Sequence, residues 1–290
     1  MISLSDLIEP FAAFGFMRRA LVGCLALSLG AAPVGAFLLL RRMSLTGDAM
    51  AHAILPGAAI GYLIAGLSLF ALTLGGLVAG LAVALSAGAI SRATPLREDA
   101  SLASFYLISL ALGVLIVSLR GGSVDLMHVL FGAVLAIDDD ALILLAAIAT
   151  ITLLAFAAIY RALAVECFDP GFLRSVGGRG GAHHLAFLAL AAINLVGAFH
   201  ALGTLMAVGL MILPAAAARL WTDGAPALIV LAWLLGFASS GAGLLLSYYA
   251  ELPAGPAIVL CAGAAYALSI AFGRNGGALR RWMPAPHFES

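Results

Sequence analysis

The chain is built from apolar runs that are long enough to cross a lipid bilayer. Of its 290 residues, 64% are hydrophobic and 10% are charged, whereas a soluble domain carries about 25% charged residues. A spanning helix needs about 20 mostly apolar residues, and runs near this length recur along the whole chain. They lack the short alternating pattern of membrane barrel strands. We therefore predict an all-α, multi-pass membrane protein.

The apolar runs define ten candidate helices within a single transmembrane domain of residues 1–290. They are 18–40, 46–67, 69–91, 100–119, 124–137, 140–160, 184–202, 204–220, 226–249 and 255–273. The run 124–137 is short for a crossing, so a re-entrant or broken helix is an alternative to a span there. Pro214 interrupts the run 204–220 and frees backbone groups that neighbouring helices must satisfy. About 8–10 crossings are therefore expected.

Arginines indicate the orientation of the second half of the chain. The longest polar stretch, 161–183, carries Arg161, Arg174 and Arg179, and so should be cytoplasmic. Four further spans return the C-terminus to the same side. The first half has two arrangements, because the N-terminus is inside if 124–137 spans and outside if it is re-entrant. We favour the first arrangement, with ten spans and both ends in the cytoplasm.

Asp48 and His52 are the clearest candidate ligands, in the segment GDAMAHAILPG (47–57). Residues four apart share one helix face. An ionised Asp in a membrane helix costs about 2.5–3.5 kcal/mol, so such residues are functional by default. A carboxylate with a neutral imidazole suits a divalent transition metal. The alternative is that Asp48 caps the helix and His52 packs in the core.

Other polar residues in the apolar runs are weaker candidates. Asp125 and His128, three residues apart, and His200, between two apolar runs, are candidate secondary residues of a pathway. The alternatives are a helix cap for Asp125 and packed or interfacial histidines. Three carboxylates at 138–140 begin another run, where capping and the helix dipole explain them. A mouth that attracts cations is the alternative for these three.

The composition excludes several function classes. All fourteen basic residues are arginine, so the chain lacks the lysine of a nucleotide-binding P-loop and is not itself an ATPase. A net charge of zero gives no indication of nucleic-acid binding. Neither a nucleophile–base pair nor a metalloprotease motif is present, which makes an intramembrane enzyme the weakest reading. A secondary metal transporter is an alternative, but several membrane-embedded carboxylates are expected in one.

The polar segment 161–183 contains a motif suited to docking. Its sequence FDPGF comprises Phe168, Asp169, Pro170, Gly171 and Phe172. Asp-Pro favours the start of a turn, and exposed aromatic side chains suit a contact surface for another subunit. The alternative is a local turn with its phenylalanines at the bilayer interface.

Several segments resemble the membrane permeases of bacterial zinc, manganese and iron ABC importers. They are LLRRMSLTGDAMAHAILPGAAIGYL (39–63), VDLMHVLFGAVLAI (124–137), VECFDPGFLRSVG (165–177), LGTLMAVGLMILPAAAARL (202–220) and ELPAGPAIVLCA (251–262). They occur in family order, so the resemblance extends over nearly the whole chain.

This resemblance implies a type II-like importer fold in the cytoplasmic (inner) membrane. Two permease copies would form the path, with two ATPase subunits bound to the cytoplasmic loops and an extracytoplasmic protein delivering the metal. The family's metal ligands match Asp48 and His52, and its ATPase coupling loop matches 161–183. The chain itself would bind no cofactor, since ATP belongs to the partner subunit.

The metal and the dimer are inferred from the ligand set. An Asp/His site suits zinc, manganese and iron, and affinity favours the later metals of the series over manganese. We therefore expect zinc, with manganese or iron as alternatives. One pair supplies two ligands, fewer than the three or four protein ligands of usual zinc sites. A second copy related by a two-fold axis would supply the rest. We therefore expect a homodimer, with a heterodimer of two permeases as the alternative.

Overall fold

The chain is helical almost throughout its described part. The computed structural model describes residues 4–66, 68–95, 98–119, 134–169, 175 and 180–275. These ranges contain eleven α-helices, a short 3-10 turn at Val134–Ala136, and no strand. The helices are α1 (Leu4–Ala13), α2 (Gly15–Leu40), α3 (Ser44–Ala53), α4 (Leu55–Ala65), α5 (Leu69–Ala93), α6 (Glu98–Leu119), α7 (Asp139–Phe168), α8 (Gly180–Leu202), α9 (Thr204–Arg219), α10 (Ala225–Ala250) and α11 (Ala254–Phe272). The predicted all-α fold is confirmed.

Seven helical stretches of the described chain are long and apolar enough to cross a bilayer. They lie in α2, in α3 together with α4, and in α5, α7, α8, α10 and α11. Two shorter apolar stretches, Ala100–Ile116 in α6 and Thr204–Arg219 in α9, bring the candidate crossings in the described ranges to nine. This number lies within the range of about 8–10 expected from the apolar runs.

Two ion pairs show that α2 and α7 run parallel. Arg19 and Asp139 meet at the start of both helices, with Nε and Oδ1 3.5 Å apart. Arg41 and Glu166 meet at the end of both helices, with Nη2 and Oε2 3.1 Å apart. We call the Arg41 end the inner end, because α7 leads there into the arginine-bearing segment 161–183.

The described part of the chain begins and ends at opposite ends of the helical bundle, which contradicts the favoured arrangement with both ends in the cytoplasm. The ring of Phe14, just before α2, lies 5.7 Å from that of Tyr248 at the end of α10. The start of α10 is therefore at the inner end. There Asn275, just after α11, donates to Asp223, just before α10, at 2.8 Å. The N-terminal end of α2 is thus outer, and the C-terminal end of α11 is inner.

The predicted helix 124–137 falls mostly outside the described residues. Three crossings, by α3–α4, α5 and α6, connect the inner end of α2 to the outer start of α7. The arginine count in the sequence could not decide between the two arrangements because three arginines opposed four. Long-range contacts such as Arg41–Glu166 show instead which helix ends lie together.

Helix α2 is the central helix, and its inner half packs against aromatic rings. Phe37 lies 5.6 Å from Phe156 of α7 and 6.3 Å from Phe187 of α8, measured between ring centroids. Phe37 and Phe187 are fully buried. These contacts join three helices, and edge-to-face or tilted ring pairs stabilise such packing beyond the area they bury.

The carboxylates at 138–140 cap α7, as predicted. The backbone N–H of Ala141 donates to Oδ1 of Asp138 at 2.8 Å. Asp139 and Asp140 occupy the first helical turn, where negative charge is favoured by the helix dipole. Capping therefore accounts for Asp138, and the ion pair with Arg19 engages Asp139.

Candidate metal site

Asp48 and His52 lie on one face of α3, within the span Ser44–Ala65. The Nε2 atom of His52 is 3.7 Å from Oδ1 of Asp48. This separation is longer than a hydrogen bond, so both atoms can turn towards a shared ligand. The Asp48 side chain is 64% exposed in the single chain and that of His52 is 30% exposed. Neither side chain is packed in the core, which disfavours the alternative interpretation of His52.

The pair opens into a cleft of about 360 Å³ between α3 and α9, and this cleft is mostly apolar apart from the pair itself and Thr204. Its lining residues are Asp48, Ala51, His52, Thr204, Leu205, Val208 and Gly209. The α9 side of the cleft begins at Gly203, whose φ of 87° suits glycine. This turn allows α9 to start immediately after α8. The second half of the chain thereby contributes one wall of the site.

The predicted helix 46–67 is broken two residues after His52. Helix α3 ends at Ala53 and α4 begins at Leu55. Pro56, in the first turn of α4, has no N–H to continue the hydrogen-bond ladder. The C-terminal end of α3 carries partial negative charge from its free carbonyl groups. A cation held by His52 would therefore lie near a favourable helix end, as in other membrane proteins with discontinuous helices.

Two side chains of α6 contact residues beside this break. The ring of Tyr106 lies 5.8 Å from the imidazole of His52, at an angle of 35°. One turn further along, the hydroxyl of Ser109 donates to the carbonyl oxygen of Ala53 at 2.9 Å. Ser109 is buried, so this bond satisfies a carbonyl that the broken helix leaves without its usual partner. Sequence reasoning missed both residues, although their spacing of three places them on one helix face.

The other predicted site residues are not brought to the cleft by the described part of the chain. Asp125 and His128 lie outside the described residues. His200 belongs to the last turn of α8, and its side chain lies outside the described part of the structure. Among the described residues, no group of three or more His, Cys, Asp or Glu side chains forms a metal cluster.

The predicted docking motif is described in part. Phe168 ends α7 and is 67% exposed, as expected of a contact residue. Asp169 follows it as the C-cap residue, with its N–H bonded to the carbonyl oxygen of Val165 at 2.8 Å. Pro170 and Phe172 lie outside the described residues.

The family match decides the class of the protein. Residues 13–273 match the ABC 3 transport family. The chain belongs to this family. It is thus the membrane-spanning subunit of an ABC transporter rather than an enzyme, and the predicted resemblance is confirmed.

Relatives and one solved structure agree with the ABC 3 assignment. The manganese transport system membrane protein MntC of Halalkalibacterium halodurans is 32% identical over 283 residues, covering 97% of this chain and 96% of that protein. The probable iron transport system membrane protein of Haemophilus influenzae is 30% identical and covers 96% of this chain and 97% of that one. PsaBC from Streptococcus pneumoniae, solved with a Fab, has a TM-score of 0.83 at 29% identity. The structural match covers 97% of this chain and 100% of the matched chain.

Proposed function

We propose that the chain is the permease of an ABC importer that carries a divalent transition metal, with manganese as the substrate. The observation that carries the proposal is the open Asp48–His52 pair, which faces a mostly apolar cleft at a helix break. Charged and polar side chains are rare inside membrane spans and mark ion pathways. The sequence favoured zinc, whereas the relatives are named for manganese and iron transport.

The ligand chemistry is compatible with manganese. Carboxylate, carbonyl and water ligands suit manganese, and imidazole suits zinc, copper, iron and nickel. In the single chain, the carboxylate of Asp48 is twice as exposed as His52, and the cleft is large enough to hold water as well. Oxygen ligands can therefore outnumber nitrogen ligands at this site, which favours a harder ion than zinc.

Metal uptake in proteoliposomes tests the proposal. The permease would be reconstituted with its ATPase and its extracytoplasmic binding protein, and ATP-driven accumulation of radioactive manganese, zinc and iron compared. We expect manganese to accumulate fastest. Faster accumulation of zinc would overturn the substrate, and accumulation of no metal would overturn the function. Asp223→Asn, an exposed acid at the inner end, is the control for loss of a carboxylate outside the site.

We also propose that a second permease copy covers the cleft. Asp48 is exposed at membrane depth in the single chain, close in sequence to Leu45, which is 79% exposed. A carboxylate facing lipid is unfavourable, so this face belongs against protein or a water-filled path. A second copy would bring the protein ligands from two to four, and water in the cleft would supply the remaining ligands of the octahedral coordination that suits manganese.

Cross-linking tests the two-fold arrangement. In a cysteine-free background, which requires replacement of Cys24, Cys167 and Cys261, Leu45→Cys should cross-link to its own copy in the purified complex. Ile151→Cys, on the exposed face of α7, should not. Absence of the Leu45 cross-link, together with a native mass showing one copy per complex, would favour the heterodimer.

Docking of the ATPase at 161–183 is the third part of the proposal. The exposed ring of Phe168 at the inner end supports it. Phe168→Ala should weaken assembly with the ATPase, measured by co-purification. Phe272→Ala, which removes a similarly exposed ring at the end of α11, is the matched control. Equal retention of the ATPase by both variants would argue against docking through Phe168.

A further inference from the structure

A buried cluster of polar side chains lies at the inner end of α2. The Arg41 guanidinium forms an ion pair with Glu166, with Nη2 and Oε2 3.1 Å apart, and its Nη1 donates to Nδ1 of His184. The Cζ atom lies 5.3 Å from the ring centroid of Phe187. The side chains of Arg41 and Glu166 are 9% and 16% exposed, and His184 is also buried. We call these four residues the buried cluster.

Stability alone does not explain the buried cluster. Removing two charges from water offsets much of their mutual attraction, and packed apolar side chains of similar volume often stabilise a protein equally well. A planar guanidinium, however, binds two partners in fixed directions. Arg41 therefore fixes the relative positions of α2, α7 and α8 in a way that apolar packing would not.

One partner of Arg41, Glu166, lies inside the proposed docking segment 161–183, and the other, His184, follows this segment directly. Glu166 precedes Asp169 by three residues. Any displacement of the docking segment acts on the end of α7 and the start of α8, since these helices carry its two ends. Arg41 binds both helices at those points.

The other side of Arg41 leads directly to the metal-binding helix. Arg42 adopts a left-handed conformation with a φ of 59°. The N–H of Met43 donates to the carbonyl oxygen of Leu38 at 2.8 Å, which closes the turn tightly. Helix α3 begins one residue later, at Ser44. Because this turn is short and hydrogen-bonded, a displacement of Arg41 should also displace the start of α3.

Helix α3 is a short rigid element between this turn and the break at Ile54. Its ten residues include both Asp48 and His52. An element held at one end and hinged at the other tilts when the held end moves. Hinges of this kind occur at a few residues at the ends of helices.

We propose that Arg41 is a positioning residue that transmits movement of the docking segment to Asp48 and His52. It couples ATP hydrolysis on the partner subunit to the geometry of the metal ligands. The inference rests on the proposed function of those ligands and of segment 161–183. It adds a physical connection between the two regions, made by Glu166 and His184.

The test compares metal uptake with ATP hydrolysis in the complete importer. Glu166→Gln keeps the shape of the side chain and removes the ion pair. Manganese transported per ATP hydrolysed should fall about tenfold, a typical size for coupling between two sites. Equilibrium binding of manganese to the permease and assembly with the ATPase should stay at wild-type levels. A purely structural role would instead lower yield, binding and hydrolysis together.

Conservative and control variants sharpen the test. Arg41→Lys keeps the charge but loses the fork that binds two partners, so its uptake per ATP should lie between wild type and Glu166→Gln. The exposed inner-end pair Arg219–Asp223, with Nη1 and Oδ1 3.1 Å apart, supplies the control Arg219→Gln. This variant should keep the wild-type ratio of uptake to hydrolysis.

The outcomes separate this inference from the proposed function. An unchanged ratio in assembled Glu166→Gln would overturn the role of Arg41 while wild-type uptake still supports the importer. If Glu166→Gln does not fold, His184→Leu removes the contact to α8 and leaves the ion pair intact. An unchanged ratio in that variant would overturn the inference equally. Absence of manganese uptake by the wild-type complex would instead refute the proposed function.

Discussion

Two polar groups, the open pair Asp48–His52 within α3 and the buried cluster that precedes this helix, contain similar side chains but differ in solvent exposure. In the open pair, Asp48 is 64% exposed, and 3.7 Å separates it from His52. In the buried cluster, Glu166 and His184 both contact Arg41 in the protein interior. The cation of the buried cluster is part of the protein, whereas the open pair leaves its ligands directed into a cleft. The pair proposed as a metal site is therefore the acid and histidine that no cation among the described residues engages.

Removing the internal cation should have the largest effect on stability. Arg41→Ala leaves the buried Glu166 carboxylate without its partner and should lower the free energy of unfolding by about 3–5 kcal/mol. Arg219→Ala breaks an exposed pair and should change it by less than about 1 kcal/mol. Thermal unfolding of the purified permease in detergent measures both. Equal effects of the two variants would contradict the contrast between buried and exposed charge.

Removing a ligand of the open pair should affect transport far more than folding. His52→Ala and Asp48→Ala should each weaken manganese binding by more than about 100-fold, since even outer-sphere partners contribute 10–100-fold. The unfolding free energy should change little, because both side chains are partly exposed. Binding titrations and radiotracer uptake provide the measurements, with Asp223→Asn as control. Near-wild-type uptake by both variants would remove them from the pathway.

The packing of α4 offers a way to disturb the open pair without touching the buried cluster. A Cβ atom at Gly57 would overlap the carbonyl oxygen of Gly75 in α5. Gly57→Ala should therefore cost about 1–3 kcal/mol of stability by forcing the helices apart, and should reduce uptake. Gly263→Ala in α11 meets open space in the single chain and is the matched control. Equal stability of the two variants would argue against close contact of α4 and α5.

The smallest expected effect concerns the support of His52 by α6. Tyr106→Ala should weaken manganese binding about tenfold, as expected for a residue that orients a ligand. Tyr106→Phe keeps the ring against the imidazole and should bind nearly as well as wild type. If the alanine variant binds as tightly as the phenylalanine variant, Tyr106 has no role in orienting His52.

The sequence predicted the helical class, and it led to the proposal of Asp48 and His52 as ligands, because both inferences depend on local patterns. Apolar runs near 20 residues indicate spans, and four-residue spacing places Asp48 and His52 on one face. Tyr106 and Ser109 were missed because their role exists only through contact with α3, some fifty residues earlier in the chain. The break at Ile54 had a local signal in Pro56, which the long apolar run around it concealed.

The orientation of the first half shows the same limit. The arginines alone left two arrangements, and the favoured one was wrong. Contacts between distant residues, such as Phe14 with Tyr248, settle which ends of the helices lie together. Such contacts produce no regular pattern of residues, so they cannot be recognised in a single sequence.

The close contact of α4 and α5 also affects how the membrane acts on this protein. Gly57 and Gly61 face backbone atoms of Gly75 and Ala71 so closely that no side chain fits between them. Two helices in backbone contact behave as one rigid unit, so a rotation of α4 about Ile54 should carry α5 with it. Any such rotation would displace lipid over the cross-section of two helices. Bilayer stiffness and lateral pressure consequently become part of the resistance against which transport proceeds.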